Sequence, residues 1–219
     1  ISVQATTFDL RIGDSGRVLA GGYNRPDPSS TPKGYSTNGL PVNGGSVALS
    51  AYGNLTLARS SFIDISGSDV VQNAIVRNGR VTTYRDAGSP GSLSLTYGAT
   101  GGALDWQGAV SAGHAGLDGL TGGTLKISRM DVKNGLEIQG QDIGKYLALG
   151  FDDLTFTSRN ALIFPDNVEA ASFGRKLTLD APEIRGIAGA DVSLAAPWIV
   201  LTNSYQAPTQ SAAATTNGS

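Results

Sequence analysis

The sequence predicts an all-β fold of the β-solenoid kind, with extended loops leaving it. Three observations carry this expectation: an eight-residue repeat at 45–68, the return of its core further along, and a composition of strand and corner residues. In the repeat, Gly45-Ser46-Val47-Ala48-Leu49-Ser50-Ala51-Tyr52 is followed by Gly53-Asn54-Leu55-Thr56-Leu57-Ala58-Arg59-Ser60. Ser61-Phe62-Ile63-Asp64-Ile65-Ser66-Gly67-Ser68 completes it. Each octet has aliphatic residues at its third and fifth positions, which is one short strand with an alternating face and a small-residue corner. Three octets without a hairpin signal describe a chain that keeps turning the same way, so that no single turn buries its inward face alone. Positions 47, 49, 55, 57, 63 and 65 are therefore expected to point inward. An antiparallel sandwich would also use alternation and glycine turns, but the repeats favour the solenoid.

The same core recurs as Leu93-Ser94-Leu95, Leu125-Lys126-Ile127, Leu154-Thr155-Phe156, Leu177-Thr178-Leu179 and Val192-Ser193-Leu194. Near the end, Leu177 to Ile184 aligns with Val192 to Ile199 at an offset of fifteen residues, and both copies carry an Ala-Pro step, at 181–182 and 196–197. Proline cannot donate to a central ladder, so both steps are read as bends between strands. Thirty glycines in 219 residues suit many tight corners. Helical spacing is scarce. The best helical stretch, Asp166 to Phe173, is read instead as another strand and corner. With roughly 20–25 residues per turn and ~4.8 Å between stacked strands, the chain would form a rod.

Residues 1–205 are read as one β-helical segment with two excursions. The first, near 21–43, is dense in proline, glycine and polar residues. The second, near 68–91, is read as one or two strands with an extended connection. Long loops of this kind often carry binding surfaces. The stretch 206–219 is poor in bulky apolar residues and reads as a flexible tail or linker.

A net charge of −2 with 16% charged residues provides no basic stripe to neutralise phosphates, so nucleic acid is not an expected partner. No apolar run reaches membrane-spanning length. The first residues lack the charged-then-apolar pattern of a signal peptide, which suggests a mature form or an excised fragment. Cysteine is absent, which removes disulfides and thiolate metal sites together. That absence suits an exported bacterial protein that stays unfolded while crossing membranes.

The string Gly44-Gly45-Ser46-Val47-Ala48-Leu49-Ser50-Ala51-Tyr52-Gly53-Asn54-Leu55-Thr56-Leu57-Ala58, followed by Ile63-Asp64-Ile65-Ser66-Gly67, resembles the filamentous-haemagglutinin-like exoproteins of Gram-negative bacteria. The stretch 175–204 is similar to the later coils of the same family. The resemblance implies a right-handed parallel β-helix, secreted by the two-partner route through an outer-membrane transporter. It also implies a place outside the cell or on the bacterial surface, and a role in adhesion, biofilm or contact-dependent interactions. The family's motif positions are structural, so no catalytic residue carries over. No secretion-recognition domain is visible at the start, and neither terminus shows an amphipathic cap. The expectation is an internal segment whose rod continues, through further sequence or through end-to-end self-association into a filament.

His114 is the single histidine and sits in a glycine-rich corner, where a surface turn role outweighs that of a base. Asp152 and Asp153 are adjacent and would face opposite sides of a strand, whereas Asp64, Asp105, Asp142 and Asp180 would need to meet on one stacked face. Gly116 to Gly123 holds one imperfect copy of a calcium-binding glycine-aspartate repeat, and a working array needs several. Tyr23, Tyr35, Tyr52, Tyr84, Tyr97, Trp106 and Tyr146 suit sugar stacking if they face outward. The simpler alternative packs Trp106 and Trp198 at corners or ends of the core. The expectation is a structural or adhesive segment rather than an enzyme, without catalytic residues, metal or cofactor, meeting glycans, proteins or other copies of itself. Its contact loop would be the first excursion, through Tyr23, Arg25 and Tyr35. The alternative is a β-helical protein that binds or cleaves polysaccharide.

Overall fold

The computed structural model of the chain describes residues 1–23, 35–37, 39–117, 119–187 and 189–205. It is mostly β, in several parallel sheets, with one short helix among the described residues. The chain returns repeatedly to one large sheet, and each stretch between returns is here termed a circuit. The first circuit holds β1 (Ser2–Ala5), β2 (Leu10–Ile12), β3 (Arg17–Leu19) and β4 (Tyr35–Thr37). The second holds β5 (Ser46–Ala51), β6 (Leu55–Leu57), β7 (Phe62–Asp64), β8 (Val71–Arg77) and β9 (Arg80–Asp86). The third holds β10 (Ser92–Tyr97), β11 (Leu104–Trp106) and β12 (Ala109–Ser111), and the fourth β13 (Gly123–Arg129), β14 (Leu136–Glu137) and α1 (Gly140–Ala148). The fifth holds β15 (Phe151–Ser158), β16 (Ala161–Phe164) and β17 (Val168–Ser172). The sixth holds β18 (Lys176–Asp180), β19 (Glu183–Gly186) and β20 (Val192–Ala195), after which β21 (Trp198–Thr202) follows.

The large sheet has seven strands in the order β1-β5-β10-β13-β15-β18-β21, and every neighbouring pair is parallel. The second strands of the circuits form β2-β6-β11 and β14-β16-β19, and the third strands form β3-β7-β12 and β17-β20, again all parallel. The three octets at 45–68 therefore place their strands in three different sheets, with no hairpin between them. Return distances shorten along the chain. They are 46 residues from Ser46 to Ser92, 32 from Ser92 to Thr124, 29 from Leu125 to Leu154, 23 from Leu154 to Leu177 and 22 from Leu177 to Ile199. The long early circuits are those that carry the excursions.

Inward rows stack in register. Val47, Leu93, Leu125, Leu154 and Leu177 form one row, and Leu49, Leu95, Ile127, Phe156 and Leu179 form the next. All are buried, as are the six positions expected to point inward. Period-two alternation sets this pattern, because each strand turns alternate side chains to one common interior. At the outer strand β21 the same rows emerge into solvent, with Ile199 43% and Leu201 66% exposed. The outward row between them runs Ser2, Ala48, Ser94, Lys126, Thr155, Thr178 and Val200.

Two further features of the sequence find their place in the fold. The fifteen-residue repeat is not a stacking period: Leu177 pairs with Ile199 in the large sheet, whereas Val192 pairs with Val168 in the third-strand sheet. The repeat is one strand-and-corner unit used on two faces, and its Ala-Pro steps do lie between strands, β18 to β19 and β20 to β21. The stretch 166–173 forms a strand, β17, as read from the sequence, whereas a helix that no sequence expectation placed forms at Gly140–Ala148. Ile143, Tyr146 and Leu147 give α1 its buried stripe, and Asp142 lies in its first turn. Leu149 and Gly150 N–H groups donate to the Lys145 and Leu147 carbonyls, and Gly150 sits at φ +93°, the left-handed stop of a helix.

Candidate functional site

The two excursions meet as one small sheet. β4 from the first pairs antiparallel with β8 from the second, and β8 pairs antiparallel with β9. Asn78 and Gly79 link β8 to β9, both at positive φ (51° and 74°), which is the type I′ turn that Asn-Gly favours. This is the hairpin signal that the sequence reading of 68–91 passed over. At the root, the buried Ser68 hydroxyl accepts hydrogen bonds from the Val42 N–H (3.0 Å) and the Gly88 N–H (3.1 Å). The Ser68 N–H in turn donates to the Val42 carbonyl at 3.0 Å. A Cβ on Gly67 or Gly88 would overlap the carbonyl oxygen of Gly88 or Val42, respectively, so only glycine lets the strands of the root come this close.

Of the expected contact residues, Tyr23 is 68% exposed. Tyr35 contributes its backbone to β4, opposite Ile75, and Arg25 lies outside the described residues. The most exposed element of the small sheet is β9, all seven of whose residues face solvent. It carries Arg80, Val81, Tyr84, Arg85 and Asp86, none of which the sequence reading chose as a contact beyond the general mention of Tyr84.

A second site lies where the circuit stack changes. β11 and β14 are successive second strands, yet they end separate sheets, and α1 takes the place of a third strand in the fourth circuit. A cavity of about 130 Å³ opens there, lined by Tyr97, Trp106, Glu137, Asp142, Lys145 and Tyr146 among others. Trp106 stacks on Tyr146 at 5.2 Å, and Tyr146 tilts against Phe156 at 6.2 Å. The Lys145 ammonium lies 5.1 Å from the centre of the Trp106 ring and donates to the Trp106 carbonyl at 2.7 Å. Burial holds the Asp142 carboxyl above the usual carboxylate range; Asp166 adds to this and Lys145 opposes it. Burial also pushes the Tyr97 hydroxyl up to about 12, and raises that of Tyr146. The space equals about four water molecules, well short of an ordinary ligand pocket. It suits bound water or the edge of one ring.

The other acids flagged in the sequence do not gather. Asp64 accepts from the Ser66 N–H and hydroxyl, Asp105 from the Gln107 side chain, and Asp180 from the Ser204 N–H. Asp152 accepts from the Gly122 N–H and Asp153 pairs with Arg175. His114 is exposed, and its Nδ1 accepts the Gly116 N–H at 3.0 Å, the role of a turn residue. In the glycine-aspartate segment, Asp118 lies outside the described residues. Trp106 packs against the core beside the cavity, while Trp198 on β21 is exposed with Lys176 over its ring. Among the described residues no three His, Asp or Glu side chains cluster as a metal site.

No protein-family model, curated protein or solved structure matches this chain.

Proposed function

We propose that the sheets close into a right-handed parallel β-helix, and that this helix is a stiff structural or adhesive segment of a filamentous-haemagglutinin-like surface protein. The observation that carries the reading is the seven-stranded sheet in which each circuit lays a strand parallel to the one before, with inward rows in register. Parallel crossovers within one sheet are nearly always right-handed, which supplies the handedness. The repeats at 44–68 and 175–204 support the family resemblance and, through it, secretion by an outer-membrane transporter and display outside the cell. The outward row that carries Ser94, Lys126, Thr155 and Thr178 at strand spacing, together with the small sheet on its glycine root, suits repeated contacts with glycans or proteins. Ile199 and Leu201 at an open edge suit continuation or end-to-end stacking.

The test is adhesion by the full chain to glycans and to cells, compared with a chain whose 69–87 hairpin is replaced by two glycines. Loss of binding with unchanged circular dichroism supports the reading. A second reading, a polysaccharide-binding or polysaccharide-cleaving protein, draws on the cavity, where Glu137 and Asp142 stand with Lys145 and two tyrosines. Polysaccharide cleavage that disappears in Asp142→Asn would establish it in place of the first.

A further inference from the structure

We propose that the outer edge of β9 is a self-pairing seam, through which two copies join their small sheets about a two-fold axis. This seam does not depend on the surface reading above. Arg77 and Arg80 flank the two-residue Asn78-Gly79 turn, so they form the hydrogen-bonded pair that closes it. Alternation along β9 then turns the N–H and C=O groups of Val81, Thr83 and Arg85 away from β8. Among the described residues no strand takes these groups, because the sheet order β4-β8-β9 ends there. Every residue of β9 is exposed. An open edge of this kind is a template for another strand.

The sequence of β9 selects a second copy as that strand. Arg80–Asp86 is centred on Thr83, and an antiparallel two-fold pairing about Thr83 matches outward-facing backbone groups only with one another. Thr83 then faces the partner's Thr83, and Val81 faces the partner's Arg85. The close, non-hydrogen-bonded positions bring Arg80 opposite the partner's Asp86, and Asp86 opposite the partner's Arg80. A slip by two residues in either direction leaves Asp86 without an arginine opposite, and a mismatch of faces follows any slip by one. The two-fold seam is thus complementary in backbone, face and charge at one register. A single strand edge buries little area, so the dimer is a weak and reversible one.

Sedimentation equilibrium of the full chain over a concentration series tests the seam. The expected result is a monomer–dimer equilibrium. Arg80→Asp and Asp86→Arg should each weaken it by about tenfold, and the double variant should restore it. Thr83→Pro should abolish the dimer while keeping the β8–β9 pairing, since its lost N–H points away from β8. Circular dichroism checks the fold of each variant, and the charge swap stands if the proline variant fails to fold. A monomer at every concentration, or association that ignores all these changes, overturns the proposal and leaves Arg80, Arg85 and Asp86 as charges that guard the edge.

Discussion

Trp106 and Tyr146 stack with ring centroids 5.2 Å apart and planes inclined by 25°, one on strand β11 and the other on helix α1. They meet where the backbone ladder does not continue, since β11 and β14 end separate sheets. In the large sheet, by contrast, hydrogen bonds tie every circuit to the next. At this corner aromatic packing and the Lys145 bond to the Trp106 carbonyl stand in for them.

Trp106→Ala should therefore cost about 3–5 kcal/mol, from lost ring burial and an unfilled space. Trp106→Phe should cost less, because a ring remains for Tyr146. Urea unfolding of the three proteins measures the difference; equal stabilities would show that the stack contributes nothing.

Leu55 is fully buried, and its row places Leu10 on one side and Leu104 on the other. Leu55→Ala should destabilise the chain by about 2–5 kcal/mol, since its neighbours are fixed in register and cannot collapse into the gap. The denaturation midpoint reads this directly.

Ser68→Ala should loosen the root of the small sheet, because the Val42 and Gly88 N–H groups lose the hydroxyl that accepts them. A cost of about 1–3 kcal/mol is expected. Hydrogen exchange should accelerate at Val42 and across β8 and β9, while the Leu95 and Ile127 amides stay protected.

The tyrosine hydroxyls make stability sensitive to alkali. The Tyr97 value of about 12 in the folded chain lies above its ordinary value of 10.0, so the folded state keeps the proton longer. The stability that this provides is complete below pH 10 and is lost as pH rises through about 12. Tyr97→Phe should remove about 2–3 kcal/mol of that alkaline loss. At the acid side, Asp142 is raised above 3.8, so ionising it costs the folded state as pH climbs past that value. Asp142→Asn should flatten this part of the profile without lowering stability at neutral pH. Thermal unfolding from pH 3 to pH 12 tests both.

The octets, the inward positions and the corners were legible in the sequence because each depends on local alternation. Val47, Leu49, Leu55, Leu57, Ile63 and Ile65 are buried for the reason their spacing gives. Helix α1 was missed because its nine residues include Gly140 and Gly144, which dilute the stripe of Ile143, Tyr146 and Leu147. The signal was present in Asp142 in the first turn and in Gly150 beyond the end. Asn78-Gly79 was equally visible as a turn pair between two β-rich runs.

The contact between the excursions was not legible. β4 and β8 lie more than thirty residues apart, and nothing local pairs Tyr35 with Ile75. That pairing follows from circuits of equal length stacking their corners, which brings both loops out at one place. The cavity arises the same way, since Trp106 and Tyr146 belong to successive circuits and meet only once the stack exists. The sequence alone determined strand, corner and inward face, because period-two alternation and glycine geometry act over a few residues. The tertiary structure decided which strands are neighbours, where the ladder breaks and which edge stays open, because those depend on the length of each circuit between returns.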